Sequence, residues 1–193
     1  MNNWKKELLT IPNLLSLFRL VLIPVYVAIY QGATTPDDYF LAAAILAVSC
    51  LTDLVDGKIA RHFNMISTVG KILDPLADKA TQFTLIVCLA VKHQIIRYMV
   101  VLFFIKELFQ LIAGLLTIRK GRMLRGALIT GKICTTILFI SLITMVLLPN
   151  LSEQIITVIT LVDIGFLLLS FGDYVATYLF SSKRFEPFEN PLN

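Results

Sequence analysis

Two pairs of aspartates, Asp53 with Asp56 and Asp74 with Asp78, stand in a chain that is otherwise mostly apolar. Spacings of three and four residues put each pair on one face of its own helix. A charged side chain at the centre of an inserting helix costs roughly 2.5–3.5 kcal/mol even on the milder scale. Four such carboxylates therefore need a counter-charge, and a divalent cation is the natural one. An oxygen-only donor set selects Mg²⁺, Mn²⁺ or Ca²⁺ over zinc, and two ions held this way would clamp an in-line phosphoryl displacement. Gly57, directly after Asp56, lets a ligand approach the backbone closely, and Gly70 either does the same or breaks the turn between helices. Arg61 adds a guanidinium fork suited to phosphate.

The elements that must carry these groups read as membrane spans. Of the 193 residues, 57% are hydrophobic and 16% charged, and the mean hydropathy is +0.80. A soluble domain is nearer 45–50% apolar and about 25% charged. Apolar runs predict six spans, at about 11–32, 39–62, 70–92, 95–118, 129–149 and 152–181, each close to the roughly 20 residues a crossing needs. The expected fold is all-α: a six-transmembrane-helix bundle forming one domain over 1–193, preceded by a short interfacial helix over 2–11. In that helix Trp4, Leu8 and Ile11 share a face.

Lys5, Lys6, Lys58, Arg61, Arg119, Lys120, Arg122, Arg125, Lys183 and Arg184 fall at one set of ends. The other set carries Asp37, Asp38 and Glu153, with only Lys92 and Arg97 as cations. This bias predicts that both termini and the carboxylates face the cytoplasm. The aspartate pairs then lie on the order of 10 Å below that surface. The net charge of +4 is topological bias and requires no nucleic acid. Cys50, Cys88 and Cys134 lie within spans as small core residues, and no cleavable leader is expected. His62 and His93 are expected to be solvated. Lys106 and Glu107 face different directions on one helix, which argues against a simple pair. Asp163 and Asp173 are expected to pair between helices with such groups, or to meet a second subunit.

The string Asp53-x-x-Asp56-Gly57-x-x-Ala60-Arg61, followed by Gly70, Asp74 and Asp78, resembles the signature of the CDP-alcohol phosphatidyltransferases at every fixed position. The resemblance implies an enzyme that binds CDP-diacylglycerol, displaces CMP with an alcohol and uses Mg²⁺ or Mn²⁺, two ions in all. By position it implies metal ligation by Asp53, Asp56, Asp74 and Asp78, with Asp78 also the general base on the acceptor hydroxyl. Gly57, Ala60 and Gly70 would line the CDP pocket, and Arg61 would touch its phosphates. It also implies residence in a bacterial inner membrane and a homodimer.

Within that family, Ile11–Arg19 and Gly70–Lys79 are similar to the corresponding stretches of bacterial phosphatidylglycerophosphate synthases. That branch uses glycerol 3-phosphate, and an anionic acceptor needs cations. Lys132, Lys106, Arg119, Arg122 and Arg125 are the candidates for its phosphate. The branch tends to carry Arg-Glu where this chain has Lys106-Glu107, and a further Arg where this chain is apolar at Leu115 and Leu116. These departures keep open a cardiolipin synthase, with phosphatidylglycerol as acceptor, or another CDP-alcohol phosphatidyltransferase using a different alcohol. A non-catalytic CDP-lipid-binding protein and an ion-coupled transporter are the readings outside enzymology. The transporter leaves Gly57, Ala60, Arg61 and Gly70 unexplained and has no repeated pair of broken helices.

Overall fold

The computed structural model describes residues 10–62, 70–124, 126, 128–180 and 184–187, and their side chains except at 11–12, 53–62, 70–72, 123 and 186–187. Six helices run through these residues: α1 (Ile11–Gly32), α2 (Pro36–His62), α3 (Gly70–Lys92), α4 (Ile96–Arg119), α5 (Ile129–Leu147) and α6 (Glu153–Phe180). They match the six apolar segments within a few residues. Four contain stretches long and apolar enough to cross a membrane: Asn13–Gly32, Ile96–Arg119, Ile129–Leu147 and Glu153–Phe180. In α2 and α3 the aspartates and their neighbouring cations dilute the apolar run. The expected interfacial helix over 2–11 lies, but for its last two residues, outside the described residues. A feature not anticipated is a short antiparallel pairing of β1 (Arg122–Leu124) with β2 (Phe185–Pro187).

The chain divides into two compact units, Met1–Lys92 with Ile143–Asn150, and His93–Leu142 with Leu151–Asn193. In the first, α1 packs against both α2 and α3. Tyr26, Tyr30, Ala42, Ala43, Leu46, Ala77, Leu85, Ile86 and Leu89 form its core. The end of α3 is pinned by Lys92, whose ammonium lies 4.4 and 4.3 Å from the ring centroids of Tyr30 and Tyr39 and donates to the Tyr39 hydroxyl at 2.5 Å. Cation–π contact and hydrogen bond together let a lysine close an aromatic cluster that apolar packing alone would leave open.

The start of α2 is fixed by a reciprocal cap. Asp38 Oδ2 accepts from the backbone N–H groups of Thr34 and Thr35, at 3.0 and 2.8 Å, and from the Thr35 hydroxyl at 2.8 Å. The Asp38 N–H in turn reaches Thr35 Oγ1 at 3.4 Å. Pro36 occupies the first helical position, where the missing N–H costs nothing.

In the second unit α4 packs against α6. The buried face of α6 runs Ile156, Thr160, Asp163, Leu167, Ser170, Tyr174 and Thr177, an alternating four-and-three spacing that makes a continuous seam. That seam contains an acid, contrary to the expectation of a lysine–glutamate partner or a subunit contact. Asp163 is buried within its own unit and accepts from the Ser141 hydroxyl at 3.0 Å. Asp173 likewise accepts from the Thr130 hydroxyl at 2.5 Å. A hydroxyl satisfies one carboxyl oxygen without adding a second buried ion; Asp163 Oδ2 has no hydrogen-bond partner among the described residues. His93 is not simply solvated: its Nδ1 lies 2.9 Å from Glu153 Oε1. Cys88 and Cys134 are buried, Cys50 is partly buried, and none of the three forms a disulfide, in keeping with core packing. Val101, Phe104, Leu108, Leu111 and Leu115 on α4 remain exposed, which suits a surface whose solvent is lipid.

Two outcomes test this packing. A Cβ added at Gly131 would sit 2.8 Å from the Tyr174 hydroxyl and 2.9 Å from its Cε2. Tyr174 is itself buried and stacked on Tyr178. Gly131→Ala should therefore destabilise by about 1–3 kcal/mol, read as a lowered thermal midpoint in detergent; an unchanged midpoint would mean that Tyr174 has room to swing. At α2, the cap hydrogen bonds hold the Asp38 carboxyl down at about 2. The ordinary value is about 3.9, so the cap's contribution is complete above that pH and fades as pH falls towards 2. Acid titration of the Asp38 carboxyl by NMR should show the depressed midpoint, and Thr35→Ala should move it up.

Candidate functional site

The α3 residues Asp74 and Asp78 are one helical turn apart and project from the same face. Opposite them α1 presents a polar stripe, Asn13, Ser16 and Arg19, each buried and each three residues after the last. Ser16 donates its hydroxyl to Asp74 Oδ1. Arg19 donates Nη1 to Asp78 Oδ1 at 2.6 Å, with its own side chain 2% exposed and that of Asp78 52% exposed. A buried guanidinium thus holds one oxygen of a carboxylate that is itself about half exposed. Such a charge-assisted bond is roughly twice as strong as a neutral one and fixes the acid's direction.

Sequence reasoning had passed over this stripe as a source of site residues. Its signal is a polar residue at every third position of an otherwise apolar span, a face that must meet something polar. One turn further along from the Arg19–Asp78 pair the three helices border a shallow, largely apolar recess. It is lined by Leu22 and Tyr26 of α1, Leu46 and Ser49 of α2, and Thr81 and Leu85 of α3, among others. Next along the α3 face, Gln82 is buried, and its Oε1 has no hydrogen-bond partner among the described residues.

Asp53, Asp56, Gly57, Ala60 and Arg61 all fall in α2, and Gly70 opens α3; the side chains of the α2 set lie outside the described residues. Among the described residues there is no group of three or more potential metal ligands. What is described fits a hard divalent cation: Asp74, Asp78 and Ser16 offer only oxygen donors.

The cation candidates belong to the second unit and differ among themselves. Lys106 is buried and paired after all: its Nζ lies 2.9 Å from Glu107 Oε1 and 3.1 Å from Gln110 Oε1, and 5.9 Å from the centre of the Tyr174 ring. The two residues do diverge from the helix, but the four-carbon stem of lysine is long enough to fold back onto its neighbour. Arg119, Arg122 and Lys132 are exposed. Arg119 and Arg122 flank a turn made by Gly121 at φ 69°, a conformation favoured by glycine. Arg125 lies outside the described residues.

Comparison with known proteins agrees with the motif. The sequence model of the CDP-alcohol phosphatidyltransferase family matches residues 9–168. A probable phosphatidylglycerophosphate synthase of Mycobacterium tuberculosis is 31% identical over 119 residues, which is 61% of this chain and 57% of that protein. The CDP-diacylglycerol–glycerol-3-phosphate 3-phosphatidyltransferase of Escherichia coli is 45% identical over 69 residues, 36% of this chain and 37% of that one. A cardiolipin synthase (CMP-forming)/mitochondrial hydrolase fusion protein of Schizosaccharomyces pombe is 42% identical over 91 residues, 46% of this chain and 14% of that protein. The chain thus spans well under two thirds of the length of these relatives. With the family's sequence model covering most of its length, and a paired-aspartate face held by Ser16 and Arg19, this chain belongs to the CDP-alcohol phosphatidyltransferase family.

Proposed function

We propose that this protein transfers the phosphatidyl group of CDP-diacylglycerol to glycerol 3-phosphate, releasing CMP and forming phosphatidylglycerophosphate. The observation that carries the reading is the Asp74–Asp78 face, held from α1 by Ser16 and Arg19 within the family's aspartate motif. Asp53, Asp56, Asp74 and Asp78 would hold Mg²⁺ or Mn²⁺, two ions in all. Bound there, the metal supplies charge neutralisation on the CDP pyrophosphate. Gly57, Ala60 and Gly70 leave room for the nucleotide against the backbone, and Arg61 donates to its phosphates. Asp78 takes the proton from the acceptor hydroxyl as that oxygen bonds to the phosphatidyl phosphorus. The bond from that phosphorus to the CMP oxygen breaks, and CMP leaves with the electron pair. Arg19 keeps Asp78 aimed. Arg119, Arg122, Arg125 and Lys132 supply cations for the acceptor phosphate. Lys106 would have to release Glu107 and Gln110 to join them.

The reading includes six membrane spans in a single domain, with both termini and the carboxylates on the cytoplasmic side of a bacterial inner membrane, and a homodimer. The charge bias between connections supports the sidedness. A second reading, a cardiolipin synthase acting on phosphatidylglycerol, is favoured by the fission yeast relative and by the engaged state of Lys106.

Purified protein should release CMP from CDP-diacylglycerol when given Mg²⁺ or Mn²⁺ and glycerol 3-phosphate. Turnover with phosphatidylglycerol alone would establish the second reading instead, and turnover with neither would sink both. Asp78→Asn should lower kcat by about 10²–10⁴-fold, the range for loss of a general base. Arg19→Leu should cost on the order of 10²-fold in kcat, as expected when a reacting group is misplaced by about an ångström. Arg19→Lys, which keeps one donor, should recover part of that loss; equal activity of all three Arg19 forms would show that the guanidinium does not aim the base.

A further inference from the structure

The short β1–β2 pairing joins two parts of the second unit that are far apart in sequence, the connection between α4 and α5 and the segment after α6. Arg122 faces Pro187, Met123 faces Glu186 and Leu124 faces Phe185. Two strands of three residues are marginal by themselves, so side chains must hold them. Phe185 packs on Tyr178 with ring centroids 5.6 Å apart. Tyr178 stacks on Tyr174 at 6.4 Å and meets Phe109 edge-on at 6.1 Å. Beside this aromatic column, Arg184 Nη1 lies 3.9 Å from Asp173 Oδ1 and 3.5 Å from Thr177 Oγ1. Asp173 is therefore ion-paired on one side with the tail and, through its other oxygen, accepts from Thr130 in the first turn of α5. The tail thus fastens the α4–α5 connection at two points: β1 by backbone pairing and the start of α5 through Asp173.

That connection carries exposed Arg119, Lys120 and Arg122, with exposed Lys132 one residue beyond Gly131. Like charges this close repel, so an unfastened connection would spread them apart. Gly121 at φ 69° and Gly126 at φ 74° turn the chain on either side of β1, which defines a shape but leaves glycine's freedom to lose it. We propose that Arg184–Pro187 is a strap that presets the cationic α4–α5 connection for an anion, either the phosphate of a small acceptor or an anionic lipid headgroup, with Arg184 and Asp173 as positioning residues. Presetting the cations spares the ligand the entropic cost of gathering them. The ligand half of this inference rests on the reading above that the acceptor is anionic; the fastening half does not.

The test uses the full-length protein in detergent, its Arg184→Ala and Phe185→Ala double variant, and Arg184→Lys. Limited trypsin digestion reads the fastening directly, because Arg119, Lys120 and Arg122 are cleavage sites. Cleavage there should be about tenfold faster in the double variant, since proteolysis follows the population of the opened segment. Arg184→Lys should restore most of the protection. Equal cleavage in all three proteins would overturn the strap, whatever the activity. In the wild type, protection by inorganic phosphate or glycerol 3-phosphate would identify a small phosphate as ligand. Protection only by vesicles containing phosphatidylglycerol would identify a headgroup, and protection by neither would overturn the proposal. In CMP-release assays the double variant should raise KM for glycerol 3-phosphate by about tenfold while kcat stays within about twofold. A fall in kcat with unchanged KM would count against a positioning role. Faster cleavage in a protein that turns over no acceptor would uphold the fastening and dispose of the proposed reaction.

Discussion

Carboxylates held inside an apolar bundle are the constraint around which the rest of this molecule is arranged. Each must be hydrogen-bonded or paired, because an unsatisfied acid in a low-dielectric setting costs several kcal/mol. The described residues meet that demand in two ways. Asp74 and Asp78 are met by a hydroxyl and a guanidinium from α1. Asp163 and Asp173 are met by hydroxyls from α5. Asp78 stays half open to its surroundings, Asp163 is buried in the α6 seam, and Asp173 is partly exposed and also faces Arg184.

This division explains the unusual make-up of α1. A span need only be apolar to cross a membrane, yet α1 spends three positions of its buried face on Asn13, Ser16 and Arg19. Arginine suits the place beside Asp78 because its guanidinium is always charged, weakly hydrated and directional. The same helix continues into Tyr26 and Tyr30, which stack on each other, with Tyr30 closing against Lys92. One face of one helix therefore holds Asp74 and Asp78 at one end and anchors the unit at the other.

In the second unit, charge is handled by chain geometry. Lys106 is silenced as a free cation by Glu107 and Gln110, whereas Arg119, Arg122 and Lys132 remain exposed around turns set by glycine. Tyr174 lies at the centre of this arrangement. It approaches Gly131 so closely that a side chain there would collide with it, lies near the Lys106 ammonium and stacks on Tyr178. The strap joins this cluster through Phe185, so tail, aromatic column and cationic connection form one packed assembly.

Much of this was legible in the order of residues. Helix boundaries followed from runs of apolar side chains, because a span must satisfy its own backbone and so cannot be interrupted without cost. The aspartate motif was equally plain, since its spacing is local and a helix turns local spacing into a shared face. What needed the tertiary structure were relations between helices distant in the chain. Arg19 and Asp78 are 59 residues apart, and nothing local says which face of α1 meets which turn of α3. Lys106 and Glu107 looked divergent because helix geometry places Cα–Cβ vectors, not the ends of long flexible side chains. The β1–β2 pairing was invisible because three-residue strands carry no periodicity; their register is set by Phe185, Tyr178 and Arg184 finding partners in a fold that already exists. Sequence alone determined the elements and the chemistry they could carry, because both rest on short-range geometry. The pairing of acids with partners was decided only when packing brought remote faces together, where the cost of a buried charge selects its neighbour.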